Sequence, residues 1–254
     1  MINIQRLTSV ARFYFPRLKN QIIWYPIISL LLGAVTMMCY FTKSPSLFLL
    51  SIIGDAFIFS VLMEYGPLAF AIYSSPEMET ALPATGKEKA TFILGYTFII
   101  LPLLLIVPLG IIDVLFYRQF NELLLSIPEI GSIVTESISI KTIVFSLLQY
   151  IVPMSVCLYA VMHYTRKRVV YGIVWTITAN VILAITGFFC GAITAFIAGY
   201  NDGRNGVELS EDAIANKMIS TVVGPVIEWG CVILTICSIF VVYKTYRAIR
   251  FRQL

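Results

Sequence analysis

The sequence predicts an all-α membrane protein: six transmembrane helices preceded by an amphipathic interfacial helix, with both termini in the cytoplasm. Three observations lead there. Of the 254 residues, 59% are hydrophobic and 13% charged, far from the balance of a soluble domain. Six apolar runs, residues 22–41, 47–73, 91–117, 142–162, 169–198 and 219–243, contain no Lys or Arg. At ~1.5 Å per residue, about 20 residues cross a hydrocarbon core of roughly 30 Å. The third observation is that basic residues crowd into alternate connections. Arg6, Arg12, Arg17 and Lys19 precede the first run, and Lys87 and Lys89 follow the second. Arg166, Lys167 and Arg168 follow the fourth, and Lys244, Arg247, Arg250 and Arg252 follow the sixth. The other gaps hold only Lys43, Arg118, Lys141, Arg204 and Lys217. Basic residues accumulate on the cytoplasmic side of membrane proteins, so the alternation orients every span.

Residues 1–20 make the first element, and residues 21–254 the transmembrane domain. On a helical projection, Ile4, Leu7, Val10, Ala11, Tyr14, Phe15 and Leu18 share one arc. Gln5, Arg6, Ser9, Arg12, Arg17 and Lys19 share the opposite one, with Phe13 the exception. This is the profile of a helix lying in the membrane interface, basic face toward the headgroups. The competing reading is a disordered basic tail that only orients the chain. Pro16 removes a backbone donor, so a break is expected there before the first span.

Residues 74–90 join the second and third spans on the cytoplasmic side and are punctuated by Pro76, Pro83 and Gly86. Residues 77–82 can form a short helix, because Pro76 suits a first helical position. Thr85 or Gly86 then opens the third span, with Thr85 and Glu88 in capping-box spacing. The external gaps 118–141 and 200–218 are acidic, carrying Glu122, Glu129, Glu136, Asp202, Glu208, Glu211 and Asp212. A short outer helix is expected over 208–218. The fifth span contains Gly187-x-x-x-Gly191 followed by Ala195, small residues that let two helices approach closely. That pattern fits either dimerisation or packing within the chain. Gly224-Pro225 in the sixth span predicts a kink or broken turn.

Composition also excludes. No extramembrane stretch is long enough to build a soluble core, so no nucleotide-binding or catalytic domain is expected. The net charge of +4 is juxtamembrane, which suits anionic lipid headgroups and not nucleic acid. Cys39, Cys157, Cys190, Cys231 and Cys237 all fall inside apolar runs, where thiols act as small hydrophobes. A single histidine, His163, leaves a His-based zinc site unexpected. The first apolar run is too long for a signal-peptide core and reads as the first span.

Four carboxylates lie within the runs: Asp55, Glu64, Asp113 and Glu228. An acid at mid-bilayer costs about 2.5–3.5 kcal/mol on insertion scales. Asp113 is near an outer end, while Asp55 and Glu228 lie ~12 Å inside it. Glu64 lies toward the inner leaflet beside Tyr65-Gly66-Pro67, where irregular backbone is tolerated if it lines protein or water. One reading makes Asp55, Glu64 and Glu228 a pathway for a cationic or amphiphilic substrate, or for protons. The other has each acid hydrogen-bonded to nearby Ser, Thr, Tyr or Asn and serving packing. No nucleophile elbow, paired metal ligands or carboxylate–histidine constellation is visible, so the chain is not expected to be an enzyme. No inverted repeat is visible either, which weakens a secondary-transporter reading.

The amphipathic start, the six spans with cytoplasmic ends and the helix-forming loop together resemble the membrane subunit of an ABC-2 type transporter. The stretch Ala81-Leu82-Pro83-Ala84-Thr85-Gly86-Lys87-Glu88-Lys89 is similar to the "LPA-x-x-x-EK" segment of that loop in bacterial members. The architectural likeness covers nearly the whole chain, and the sequence likeness about ten residues. The external gaps are longer than the family pattern. The resemblance implies a location in the bacterial cytoplasmic (inner) membrane. It implies a separate ABC ATPase subunit that binds ATP, no cofactor in this chain, and a second permease subunit, identical or related. It makes residues 1–20 the elbow helix. It also makes the loop the coupling element, with Glu77, Met78, Glu79, Leu82, Lys87, Glu88 and Lys89 meeting the ATPase. Two alternatives stand beside it: a membrane-embedded structural or assembly subunit without a pathway, and a stand-alone transporter or intramembrane enzyme using the buried acids.

Overall fold

Apolar runs become helices in the computed structural model, which describes residues 4–42, 45–73, 84–125, 140–205 and 224–251. No strand occurs among the described residues. The elements are α1 (Ile4–Phe41), α2 (Pro45–Tyr65), α3 (Leu68–Tyr73), α4 (Gly86–Gly95), a π-helical turn (Tyr96–Ile100), α5 (Leu101–Leu125), α6 (Ile140–His163), α7 (Arg168–Asn205) and α8 (Gly224–Phe251). Five helices among the described residues are long and apolar enough to cross a membrane, and α6 adds a shorter apolar stretch, Leu147–His163. The chain is a multi-pass helical membrane protein.

The break expected at Pro16 is absent. α1 runs through both Pro16 and Pro26 as one helix of 38 residues, so residues 4–19 are its first turns and not a separate element. Pro16 has no N–H for the Arg12 carbonyl, yet the helix continues past it. The Arg17 guanidinium donates to the Phe13 carbonyl and lies 3.6 Å from the centre of the Phe13 ring. The apolar arc is also held by tertiary packing: Val10, Tyr14 and Leu18 are fully buried. Tyr14 stacks on Phe92 at 5.4 Å and meets Phe70 edge-on at 5.6 Å, while Phe70 meets Tyr96 edge-on at 5.6 Å. The opposite face keeps Arg6, Arg12 and Lys19 exposed.

The second span, read as one run over 47–73, breaks at Tyr65-Gly66-Pro67, beside Glu64, where irregular backbone is tolerable. Pro67 has no N–H to give and its ring crowds the turn before it, and here, beside Gly66, the helix breaks. The next turn is tightened instead by short-range bonds, Ala69 N–H to the Gly66 carbonyl (3.2 Å) and Phe70 N–H to the Pro67 carbonyl (3.1 Å). At the other end of the connecting segment, α4 opens on the expected capping box. Glu88 N–H donates to Thr85 Oγ1 (3.5 Å), and Thr85 N–H donates to Glu88 Oε2 (2.9 Å).

One cluster of buried side chains gathers the start of α1 (Val10, Tyr14), α3 (Phe70), the start of α4 (Ala90, Phe92), the end of α6 (Met162) and the end of α8 (Ile249). These are the chain segments that carry the basic gaps, so they share one end of the bundle. At that end α6 turns tightly into α7. Arg168 Nε caps the Val161 carbonyl (2.9 Å), and Lys167 takes a left-handed φ of 50°. α8 packs most extensively on α6, followed by α6 on α7 and α1 on α5. Gly224-Pro225 are the first described residues of α8, so the kink predicted there falls at the edge of what is described. Residues 77–82, the outer helix 208–218 and most of both external gaps lie outside the described residues.

Candidate functional site: a polar seam at a broken helix

Four polar residues of α1, namely Gln21, Tyr25, Ser29 and Thr36, recur at steps of four and seven and so share a face. Gln21, Ser29 and Thr36 are buried. Their partners lie on the broken second span. Gln21 Nε2 donates to the Gly66 carbonyl (3.0 Å), and the Tyr25 hydroxyl donates to the Leu62 carbonyl (3.2 Å). Both carbonyls flank the Pro67 break, where the helical ladder is interrupted. Irregular backbone at membrane depth is tolerated where neighbouring groups satisfy it, and α1 adds donors there beside the Ala69 N–H already on the Gly66 carbonyl. Gln21 is in turn held from the third span, because Tyr96 O–H donates to its Oε1 (3.0 Å). Tyr96 opens the π-helical turn Tyr96–Ile100, an irregularity that often marks functional positions in helices. The result is a three-helix network centred on one amide.

The intramembrane acids extend this seam. Thr36 Oγ1 donates to Asp55 Oδ2, tying α1 to α2. Glu64, buried, accepts from Ser60 Oγ (2.8 Å) on its own helix and from Asn180 Nδ2 on α7. Two of the three candidate pathway acids therefore sit on polar contacts between helices, one to α1 and one to α7. The third, Glu228, lies on α8, and Asp113 on α5; both side chains are outside the described residues.

Of the loop residues expected to meet a partner, Glu77, Met78, Glu79 and Leu82 lie outside the described residues. Lys87, Glu88 and Lys89 form the first turn of α4, and burial separates them. Lys87 is exposed, whereas Glu88 is 2% and Lys89 4% exposed. Glu88 is occupied by the cap. The three charges expected to stand together at the rim are thus reduced, within this chain, to Lys87.

Sequence reading passed over Gln21, Tyr25, Tyr96, Ser60 and Asn180. Gln21 was the one polar residue at the edge of the first apolar run, and the recurrence of Tyr25, Ser29 and Thr36 along its face was the available signal. Tyr96 and Asn180 gave none, because their partners are distant in sequence. Among the described residues, no group of three His, Cys, Asp or Glu side chains is placed to hold a metal ion. No protein-family model, no curated protein and no solved structure matches this chain. Function must therefore be argued from its own residues.

Proposed function

We propose that this chain is the membrane permease subunit of an ABC-2 type transporter in the bacterial cytoplasmic membrane. It has six spans and cytoplasmic termini, pairs with a second permease subunit, and is driven by a separate ATPase that binds the ATP. The observation that carries the reading is how the segment between α3 and α4 is anchored. Its first end is α3, a six-residue helix set off from α2 by the Gly66-Pro67 break. Its second end is the capped start of α4. Both ends reach one aromatic cluster, Phe70 from α3 and Phe92 from α4, with Tyr14 of α1 between them. A push on residues 74–83 would move α3 about the break and reach α1 and the π-turn through Gln21. That is the geometry a lever needs when its energy comes from another subunit.

The test is co-purification. Replacing Met78 and Leu82 with Asp is expected to abolish recovery of the ATPase, while the same change at Leu123 and Leu124, on the opposite side, leaves it intact. Stoichiometric ATPase with the Met78/Leu82 variant removes the loop from coupling. The topology has its own check: probes at Ser126 and Asn205 should label from outside, and probes at Ser75 and Lys167 should not.

One observation favours a second reading, a structural or assembly subunit without a pathway. Asp55 and Glu64 each accept a hydrogen bond from another helix, from Thr36 and Asn180, which is what acids serving packing would do. The readings part on Asp55→Asn, Glu64→Gln and Glu228→Gln. A pathway predicts normal expression with altered substrate-stimulated ATP hydrolysis by the complex; normal stimulation in all three supports packing.

A further inference from the structure

The turn between α6 and α7 carries an arrangement that neither reading uses. Arg166 and Lys167 stand exposed on it, with no acidic partner among the described residues. Directly beneath them lies a ladder of aromatic rings. Tyr159 stacks on His163 at 5.2 Å, and His163 meets Tyr164 edge-on at 5.1 Å. Tyr164 stacks on Tyr171 at 4.0 Å, and the Trp175 indole N–H donates to the Tyr164 hydroxyl (3.2 Å). Tyr171 and Trp175 remain exposed. Beyond the rings the same helix presents Ile177 and Val181, four residues apart on one exposed stripe.

We propose that this turn is a binding site for an anionic phospholipid, with Arg166 and Lys167 on its phosphate-bearing headgroup. The order of chemistry along the α7 axis carries the assignment. Two cations come first, then the rings of Tyr171 and Trp175, then the aliphatic surface of Ile177 and Val181, all within about 21 Å at 1.5 Å per residue. A phospholipid presents its own parts in that order, charged head, polar linkage and acyl chains. Tyr and Trp favour the headgroup level because one edge is polar and the body apolar. A soluble partner would match the two cations but leave the aliphatic stripe unmatched. The cations are also held in place: Lys167 sits at the left-handed turn position, with its carbonyl accepting from Tyr171 N–H (3.0 Å), and Arg168 caps α6 behind it. The site depends on the chain being in a membrane and not on its transporting anything.

Trp175 is a built-in reporter. With Trp24 and Trp229 replaced by Phe, the full chain is reconstituted into phosphatidylcholine vesicles containing either brominated phosphatidylglycerol or, at matched content, brominated phosphatidylcholine. Two basic side chains at a membrane surface enrich an anionic lipid by on the order of tenfold, so Trp175 should be quenched far more strongly by the brominated anionic lipid. R166Q/K167Q should bring the two quenchers to parity. R12Q/K19Q, which removes as much charge from another exposed face of the same end, should leave the preference intact. Equal quenching in the parent overturns the site, as does a preference that survives R166Q/K167Q. Quenching by neither lipid also overturns it, because the turn is then covered by protein.

Discussion

The two ends of the bundle are built differently. At the basic end, the start of α1, α3, the start of α4 and the ends of α6 and α8 share a core in which Val10, Tyr14, Phe70, Ala90, Tyr96 and Met162 are nearly inaccessible. Toward the other end the described residues hold only a small cluster, Leu148, Val152 and Leu234. There the helices turn large apolar side chains outward, among them Met38, Leu50, Val114, Phe188 and Phe196. In a bilayer lipid is as apolar as leucine, so an outward side chain carries no penalty, and close packing must be explained by what it holds. The packed end holds the broken second span and the capped start of the third. Under the function proposed above it is the end through which force would enter, and the other end has surface left for lipid or for a second subunit.

The largest contrast is expected from truncating one side chain at each end. Tyr14→Ala removes a buried ring that touches three helical elements and should cost about 3–5 kcal/mol, the range for large aromatic truncations. Val114→Ala, at an exposed position, should fall within about 0.5 kcal/mol. Thermal unfolding of the purified protein in detergent compares them. Equal losses would mean that the open end is packed in solution by something absent from the single chain.

That contrast was only partly legible in the sequence. Apolar length and the absence of Lys and Arg located the helices, because a bilayer imposes those two constraints on local sequence alone. The Thr85–Glu88 box was readable because both partners lie within one turn. Gly66-Pro67 beside Glu64 was legible because proline carries its own signal, but as a tolerable irregularity within one span and not as a break. Pro16 carried the same signal and misled, since the helix around it is held in the buried cluster by Val10, Tyr14 and Leu18, with Tyr14 against Phe70 and Phe92. Glu88 and Lys89 looked like surface charges because sequence shows a residue's type and not its burial. The Gln21 network joins residues 45 and 75 positions apart, a distance that no local pattern spans.

A smaller effect separates the two roles of the buried acids. Glu64→Leu leaves the Asn180 amide without its acceptor, which should cost about 1–3 kcal/mol. If the pair is a packing tie, Glu64→Leu with Asn180→Leu should lose clearly less than the two single changes added together. Additive losses would mean that Glu64 answers to something besides Asn180, as a pathway residue must.

The smallest effect on folding is expected where the two ends differ most simply, at glycine. A Cβ on Gly66 would meet Leu101 Cδ1 at 2.3 Å and the Leu62 carbonyl at 3.1 Å, so Gly66→Ala forces the buried Leu101 side chain to shift and should cost about 1–3 kcal/mol. Among the described residues a Cβ on Gly187 meets nothing within 4 Å, so none of them uses the small-residue stripe of α7 for close approach at that position. Gly187→Ala should therefore fold normally and gain up to about 1 kcal/mol, since glycine is the costlier residue in a helix interior. Its effect should appear elsewhere. If a second permease subunit lies against Gly187, the added methyl separates the backbones and weakens the pair, which energy transfer between labelled chains in vesicles would register as reduced self-association. A variant that folds better and associates less assigns the stripe to the subunit interface. One that folds better and associates as before leaves Gly187 facing lipid and moves the interface to another helix.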